Sequence, residues 1–198
     1  MSTRAYTVAT LPRISAGQLS EMMLSWPEPP GAEAADAATG TQATGGPPAT
    51  TDASPSNVAI IDVRDDDHIG GHIRTSTHVP SSTLDYAMPG LVRKLREKQV
   101  VVFHCALSQQ RGPAAALRYL RERDRLVGVA STAEKMKKNA AVEKGLQGQE
   151  EDEEEEEEVE EEQKVFVLEG GFVKWQERFG PDQKLTEAWR KEIWEDGY

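Results

Sequence analysis

The chain reads as a three-layer α/β domain, with a central, mainly parallel sheet flanked by helices. Three observations lead there. The runs at 57–63, 100–104 and 165–168 are apolar with little alternation, as strands covered on both faces are. Segments of helical period lie between them. The runs are too far apart for hairpins and suit βα units instead.

The elements follow in order. Thr7 to Leu11 is expected to form a short first strand. Ser15 suits the N-cap of a helix over residues 16–25, with Leu19, Met22 and Met23 on one face. Residues 27–56 are rich in Pro, Ala, Gly and Thr and show no apolar period, so they are expected to be a disordered, low-complexity insert. Residues 57–63 hold the run Val58-Ala59-Ile60-Ile61-Asp62-Val63, a buried strand. His78 to Pro80 is a further short strand candidate. Leu84 to Lys98 has helical spacing through Leu91, Val92 and Leu95, with Pro89 starting or breaking it.

Val100 to His104 is the central strand. Gly112 to Arg125 is a helix carrying Ala115, Ala116, Tyr119 and Leu120. Residues 126–163 contain Lys135, Lys137 and Lys138 and then a Glu run; they are expected to be a charged, acidic, disordered insert, an exposed single helix being the alternative. Val165 to Leu168 is the next strand and Glu169-Gly170-Gly171 a turn. Phe172, Trp175 and Phe179 mark an amphipathic helix whose aromatics belong to the core. Trp189, Ile193 and Trp194 belong to a terminal helix that docks on it. Without the two inserts roughly 130 residues remain, a usual size for one domain, taken to span 1–198.

Bulk properties narrow the class. The net charge is −11, but residues 150–162 hold twelve acids and no base, so the remainder is near neutral. That balance offers nothing to nucleic acid, and the Glu run could dock a basic partner or act only as a solvated spacer. The apolar runs are far too short to span a membrane. The first residues lack a signal-peptide core, and the single cysteine cannot form an internal disulfide. Cytoplasm, nucleus or both is the expected location.

The chemistry concentrates after the central strand, in His104-Cys105-Ala106-Leu107-Ser108-Gln109-Gln110-Arg111-Gly112-Pro113. In open parallel sheets, ligands bind beyond the carboxyl ends of the strands, and Cys105 lies just past one. The loop leads into a helix whose free N–H groups and dipole suit a phosphate-like anion. The same field favours a thiolate at Cys105. Arg111 can grip two oxygens of a tetrahedral anion in a bidentate way that lysine cannot. Ser108 could donate to the thiolate, Gly112 permits close backbone approach, and Pro113 suits the first helical turn. Ala106, Leu107, Ser108, Gln109, Gln110 and Arg111 thus form the expected oxyanion-binding loop.

With these residues the chain resembles the rhodanese superfamily. Ile61-Asp62-Val63-Arg64, Gly71-His72-Ile73, Val79-Pro80 and Leu168-Glu169-Gly170-Gly171-Phe172 with Trp175 are similar to that family's ordered landmarks. Within it, loop length separates chemistries. Sulfurtransferases typically have four residues in the loop after the cysteine, whereas the cell-cycle dual-specificity phosphatases and eukaryotic arsenate reductases have five, as here. The resemblance implies a cysteine-dependent tyrosine or dual-specificity phosphatase acting on phosphoproteins through a cysteinyl-phosphate, with Cys105 and Arg111 catalytic and no metal or organic cofactor. The alternative it implies is an arsenate reductase that draws on glutathione and glutaredoxin, because no second cysteine exists. A sulfurtransferase and a non-enzymatic binding module rank below these.

The chain departs from the phosphatases at Ala106 and Gln110, where they usually carry glutamate, and at Thr75-Ser76, where Gly-Ala is usual. A loop general acid is therefore missing. Glu169 and the acids Asp65 to Asp67 follow parallel strands and could replace it, although a surface role is expected for each. Asp62 and Arg64 are expected to fix neighbouring loops. His72 and His78 are expected to be structural, and His104 to orient the loop.

Overall fold

The structure is a computed structural model that describes residues 6–25, 57–143 and 163–195. The expected disorder over 27–56 lies outside those residues, as does the Glu run. Five parallel strands form the main sheet in the order β1-β6-β5-β2-β4, from Arg13–Ile14 (β1), Val58–Asp62 (β2), Thr77–His78 (β4), Val100–His104 (β5) and Lys164–Leu168 (β6). A small antiparallel pair joins His72–Ile73 (β3) to Thr186–Glu187 (β7). The helices are Ala16–Leu24 (α1), Leu84–Lys94 (α2), Arg111–Glu143 (α3), Gly171–Phe179 (α4) and the single turn Lys191–Trp194 (α5).

Both faces of the sheet are covered, which is why its strands are apolar without alternation. On one face Ile61, Val101, Phe103, Val165 and Val167 pack under Leu84, Leu91 and Val92 of α2 and Ala116, Tyr119 and Leu120 of α3. On the other, Ile60, Val102 and Leu168 pack against Leu19 and Met23 of α1 and Phe172 and Trp175 of α4. Helix α1 begins as expected: Ser15 and Gln18 form a reciprocal capping box, which satisfies two otherwise orphaned N–H groups. No helix among the described residues is long and apolar enough to cross a membrane.

Several expectations are corrected. Thr7 to Leu11 is a turn, because the Thr7 and Thr10 side chains bond each other and accept from each other's backbone N–H in competition with a ladder; the first strand begins at Arg13. Helix α2 runs through Pro89 but stops at Lys94. The carbonyls of Leu95 and Lys98 instead receive the Gln163 side-chain amide, at 2.7 and 2.6 Å. Gln163 therefore belongs to the core and not to the insert, and it also accepts from the Tyr119 hydroxyl at 2.8 Å. Residues 126–143 continue α3 rather than being disordered. Their Ala, Lys and Glu content favours a helix. The terminal helix is a single turn that excludes Trp189, although Trp194 docks as expected, with its Nε1 on the Gly70 carbonyl at 2.8 Å.

Candidate active site

Strand β5 lies at the centre of the sheet between β6 and β2, and Asp62 of β2 is in register with His104. The loops that follow β2 and β5 therefore emerge side by side at the carboxyl edge. Cys105 is the first residue beyond β5, and Arg111 opens α3. Between them the chain makes a compact loop. Cys105 and Ala106 are buried, Ser108 is fully buried, and Leu107, Gln109 and Gln110 face solvent.

Ser108 adopts φ +52°, a left-handed conformation uncommon for a residue with a side chain. That turn aims its backbone N–H at Cys105 Sγ, 3.2 Å away. The Ser108 hydroxyl instead accepts from the Cys105 N–H at 3.4 Å. The sulfur thus receives the main-chain donor of Ser108, not the hydroxyl that the sequence suggested. Arg13 of β1 donates to the Ser108 carbonyl at 3.4 Å from outside the loop.

The loop is also held from behind by α4. The N–H groups of Phe172 and Val173 donate to the carbonyls of Cys105 and Ala106, at 2.9 and 3.0 Å. This docking requires Gly171, whose φ is +62°, because a Cβ there would lie 2.3 Å from the Ala106 carbonyl oxygen. With those carbonyls turned toward α4, the peptide N–H groups that follow them point to the loop's other side.

Arg111 does not stand free. Its Nη1 donates to Asp67 Oδ1 at 2.6 Å and to Asp65 Oδ2 at 3.1 Å, and its Nη2 donates to Asp67 Oδ2. These bonds, Asp67 foremost, push the guanidinium further up from its ordinary value. Asp65 is anchored in turn by the Ser81 hydroxyl at 2.5 Å and the Ser82 N–H at 3.0 Å. The Ser81 bond is the main cause of a carboxyl lowered to about 2. Of the three acids placed on the surface by sequence reasoning, Asp65 and Asp67 are therefore partners of Arg111, and Asp66 is exposed. The sequence shows three consecutive acids after a strand, but strand order, which brings that loop beside Arg111, is visible only in the structure.

Behind the loop lies a buried polar layer. Asp62 and Arg64 are fully buried and paired through Arg64 Nε and Nη2, the latter at 2.7 Å. Arg64 also donates to the Ile69 and Gly71 carbonyls and stacks over Phe172, 4.2 Å from the ring centre. Burial pushes the Asp62 carboxyl up, and His104 and the Arg64 hydrogen bonds together pull it below the usual carboxylate value. Burial pushes His104 down, and Asp62, 3.8 Å from its Nε2, pulls the other way without overcoming it. His104 is thus held below its ordinary imidazole value by burial, while Asp62 stays below the usual carboxylate value.

His78 Nε2 bonds the Arg64 carbonyl at 2.7 Å and its ring stacks on His68, 3.8 Å away, while His72 pairs with Glu187 at 3.2 Å. Burial pushes His68 down to about 4. None of these imidazoles bonds the loop. Glu169 is exposed on a surface cleft with Ser15, Ala16, Lys174, Glu177 and Arg178, which no residue from 104 to 111 lines. Among the described residues no cluster of His, Cys, Asp or Glu could hold a metal ion.

The geometry is a cysteine at the foot of a helix, with the Ser108 main-chain N–H turned toward its sulfur and an arginine at the helix start. Such a site can hold a tetrahedral anion against a nucleophilic sulfur. The comparisons with known proteins agree in kind. The chain is 32% identical over 146 residues to the CDC25-like phosphatase YCH1 of Saccharomyces cerevisiae, covering 68% of this chain and 76% of that one. It is 42% identical over 64 residues to arsenate reductase 2.2 of Oryza sativa subsp. japonica, covering 32% of this chain and 49% of that one. Among solved structures, Saccharomyces cerevisiae Ygr203w, described as a homolog of single-domain rhodanese and the Cdc25 phosphatase catalytic domain, superposes with a TM-score of 0.59 at 25% identity, over 96% of this chain and 95% of that one. The family model described as "Rhodanese-like domain" matches residues 50–178, and with it the parallel sheet, the Cys105 loop and α4 place this chain in the rhodanese family.

Proposed function

We propose that this protein is a cysteine-dependent phosphatase acting on phosphotyrosine or phosphothreonine proteins. The observation that carries the reading is the seat of Cys105, at the foot of α3 with the Ser108 N–H directed at its sulfur. Cys105 Sγ attacks phosphorus and the ester P–O bond breaks, giving a cysteinyl-phosphate and a leaving oxygen that takes its proton from solvent. Water then attacks phosphorus, the S–P bond breaks, and inorganic phosphate leaves with the thiolate restored. The loop N–H groups and Arg111 stabilise the equatorial oxygens in both steps. His104 and Asp62 support the loop from behind and move no proton. The mechanism asks for no metal or organic cofactor. With no glutamate at 106 or 110, substrates with good leaving groups are favoured. A lone cysteine fits the reducing cytoplasm or nucleus.

A second reading rests on the same loop and on that single cysteine. In arsenate reduction Cys105 would bond arsenic, and external glutathione and glutaredoxin would supply the two electrons that take As(V) to As(III).

The test is hydrolysis of p-nitrophenyl phosphate by freshly reduced protein. Turnover is expected to vanish in Cys105→Ser and to fall roughly 100-fold or more in Arg111→Lys, the scale of losing an oriented oxyanion donor. No hydrolysis by the unmodified chain, together with arsenate turnover that depends on glutathione, would replace the first reading with the second.

A further inference from the structure

The residue that should hold the substrate is already held. Asp67 meets Arg111 with both carboxylate oxygens, one on Nη1 and one on Nη2. This is the two-oxygen contact that an equatorial pair of phosphate oxygens would make with the same fork. Asp65 takes only one bond from Nη1, and its carboxylate is tied to Ser81 and Ser82. Asp66, between them, is exposed. The three neighbouring acids thus divide their roles: one anchored to the 81–82 turn, one facing solvent and one occupying the arginine.

We infer that Asp67 is a specificity-determining residue, an internal carboxylate that competes with the oxyanion for the Arg111 fork. The inference rests on the reading of the 105–111 loop as an oxyanion cradle. A dianion entering the loop meets the Cys105 sulfur on one side and two carboxylates on the other, with Arg111 shared among them. A small free anion has only its own charge with which to displace Asp67. A larger phosphoprotein adds contacts outside the loop that offset the displacement. The exposed Leu107, at 42% of its full accessibility, and Arg13, held beside Ser108, are placed at the loop's outer side to supply them. Asp67 therefore biases the site against free phosphate, its own product, and toward esters on a macromolecule.

The test uses tungstate, a tetrahedral oxyanion that reports binding without turnover, titrated calorimetrically into the reduced full-length chain. Asp67→Asn keeps the shape and can still accept from the Asp65 N–H, a bond of 2.9 Å in the structure, but gives up the charge. Tungstate is expected to bind it roughly threefold to fivefold more tightly than the unmodified chain, the upper end of what one solvent-accessible charge pair contributes when lost as a competitor. Inorganic phosphate should become a stronger inhibitor by a similar factor, with KM falling more than kcat changes. Asp66→Asn, equal in net charge, should shift tungstate affinity less than twofold. A merely structural Asp67 would weaken binding when replaced. Unchanged or weaker tungstate binding in a folded Asp67→Asn would overturn the inference, as would equal tightening in Asp66→Asn.

A crystal of the unmodified chain with tungstate needs no variant. The inference expects the anion on the Arg111 fork with Asp67 displaced, and a complex that keeps the bidentate Arg111–Asp67 pair contradicts it. The two readings fail separately. Tighter tungstate in Asp67→Asn without p-nitrophenyl phosphate turnover keeps the competitor and removes the phosphatase, whereas turnover with no change in tungstate affinity removes only the competitor.

Discussion

Arg64 shows how one side chain sets the position of an active loop it does not enter. Its guanidinium ties Asp62 at the end of β2 to the carbonyls of Ile69 and Gly71 and covers the Phe172 ring. It thus joins the carboxyl edge of the sheet, the acid-bearing 63–71 loop and the start of α4. Replacing Arg64 by Ala would leave Asp62 buried without its guanidinium partner, with only the residue-64 N–H and the imidazoles of His68 and His104 nearby. We expect a loss of about 3–5 kcal/mol in urea unfolding, the usual cost of breaking a buried pair by removing one partner. A loss under about 1 kcal/mol, the level of an exposed pair, would show that Asp62 is satisfied by other means. The structural role of this pair was readable from its place at a strand end. The role of its neighbours was not: Asp65 and Asp67 read as surface acids because nothing in sequence says that a loop folds back onto an arginine 44 residues away.

At the scale of elements, the Cys105 loop is gripped by two helices used in different ways. Helix α3 directs its first turn at the loop from the front. Helix α4 donates its first N–H groups to the Cys105 and Ala106 carbonyls from behind, through a Gly170-Gly171 turn with both residues at positive φ. Gly171→Ala would combine a left-handed alanine with a Cβ 2.3 Å from the Ala106 oxygen. We expect about 2 kcal/mol or more of lost stability and a fall in turnover larger than the unfolded fraction explains, because the carbonyls that α4 holds back would be released. Thermal unfolding beside p-nitrophenyl phosphate turnover reads both. A variant as stable and active as the unmodified chain would mean that α4 does not shape the loop. The Gly-Gly pair was legible as a turn. Its function was not, since the contact it permits lies in a loop 65 residues earlier.

Across the whole molecule, strand order decides what meets what. Because β5 sits between β2 and β6 in one parallel sheet, the loops after β2, β5 and β6 share one edge, and they carry the acids, the cysteine and the glycines in turn. The three long strands β2, β5 and β6, helix α1 and the Cys105-to-Arg111 loop were legible because each rests on local pattern: continuous apolar runs, an N-cap serine and one motif. At residues 95–98 and 163 a distant partner decides. Residues 95–98 leave the helix to meet Gln163, and Gln163 leaves the charged insert to meet them. Residues 126–143, read mainly for their charge, have the composition of a good helix. Glu169 reached the expected edge of the sheet, yet it lies on a cleft that the Cys105 loop does not line.

The most direct test of the central claim is to quench the protein with acid during turnover of p-nitrophenyl phosphate and map the phosphoryl group by peptide mass spectrometry. The mechanism predicts one phosphoryl group, on Cys105, appearing within the first turnover and absent from Cys105→Ser. Steady hydrolysis with no phosphoryl group on Cys105, or with the group on another residue, would contradict it.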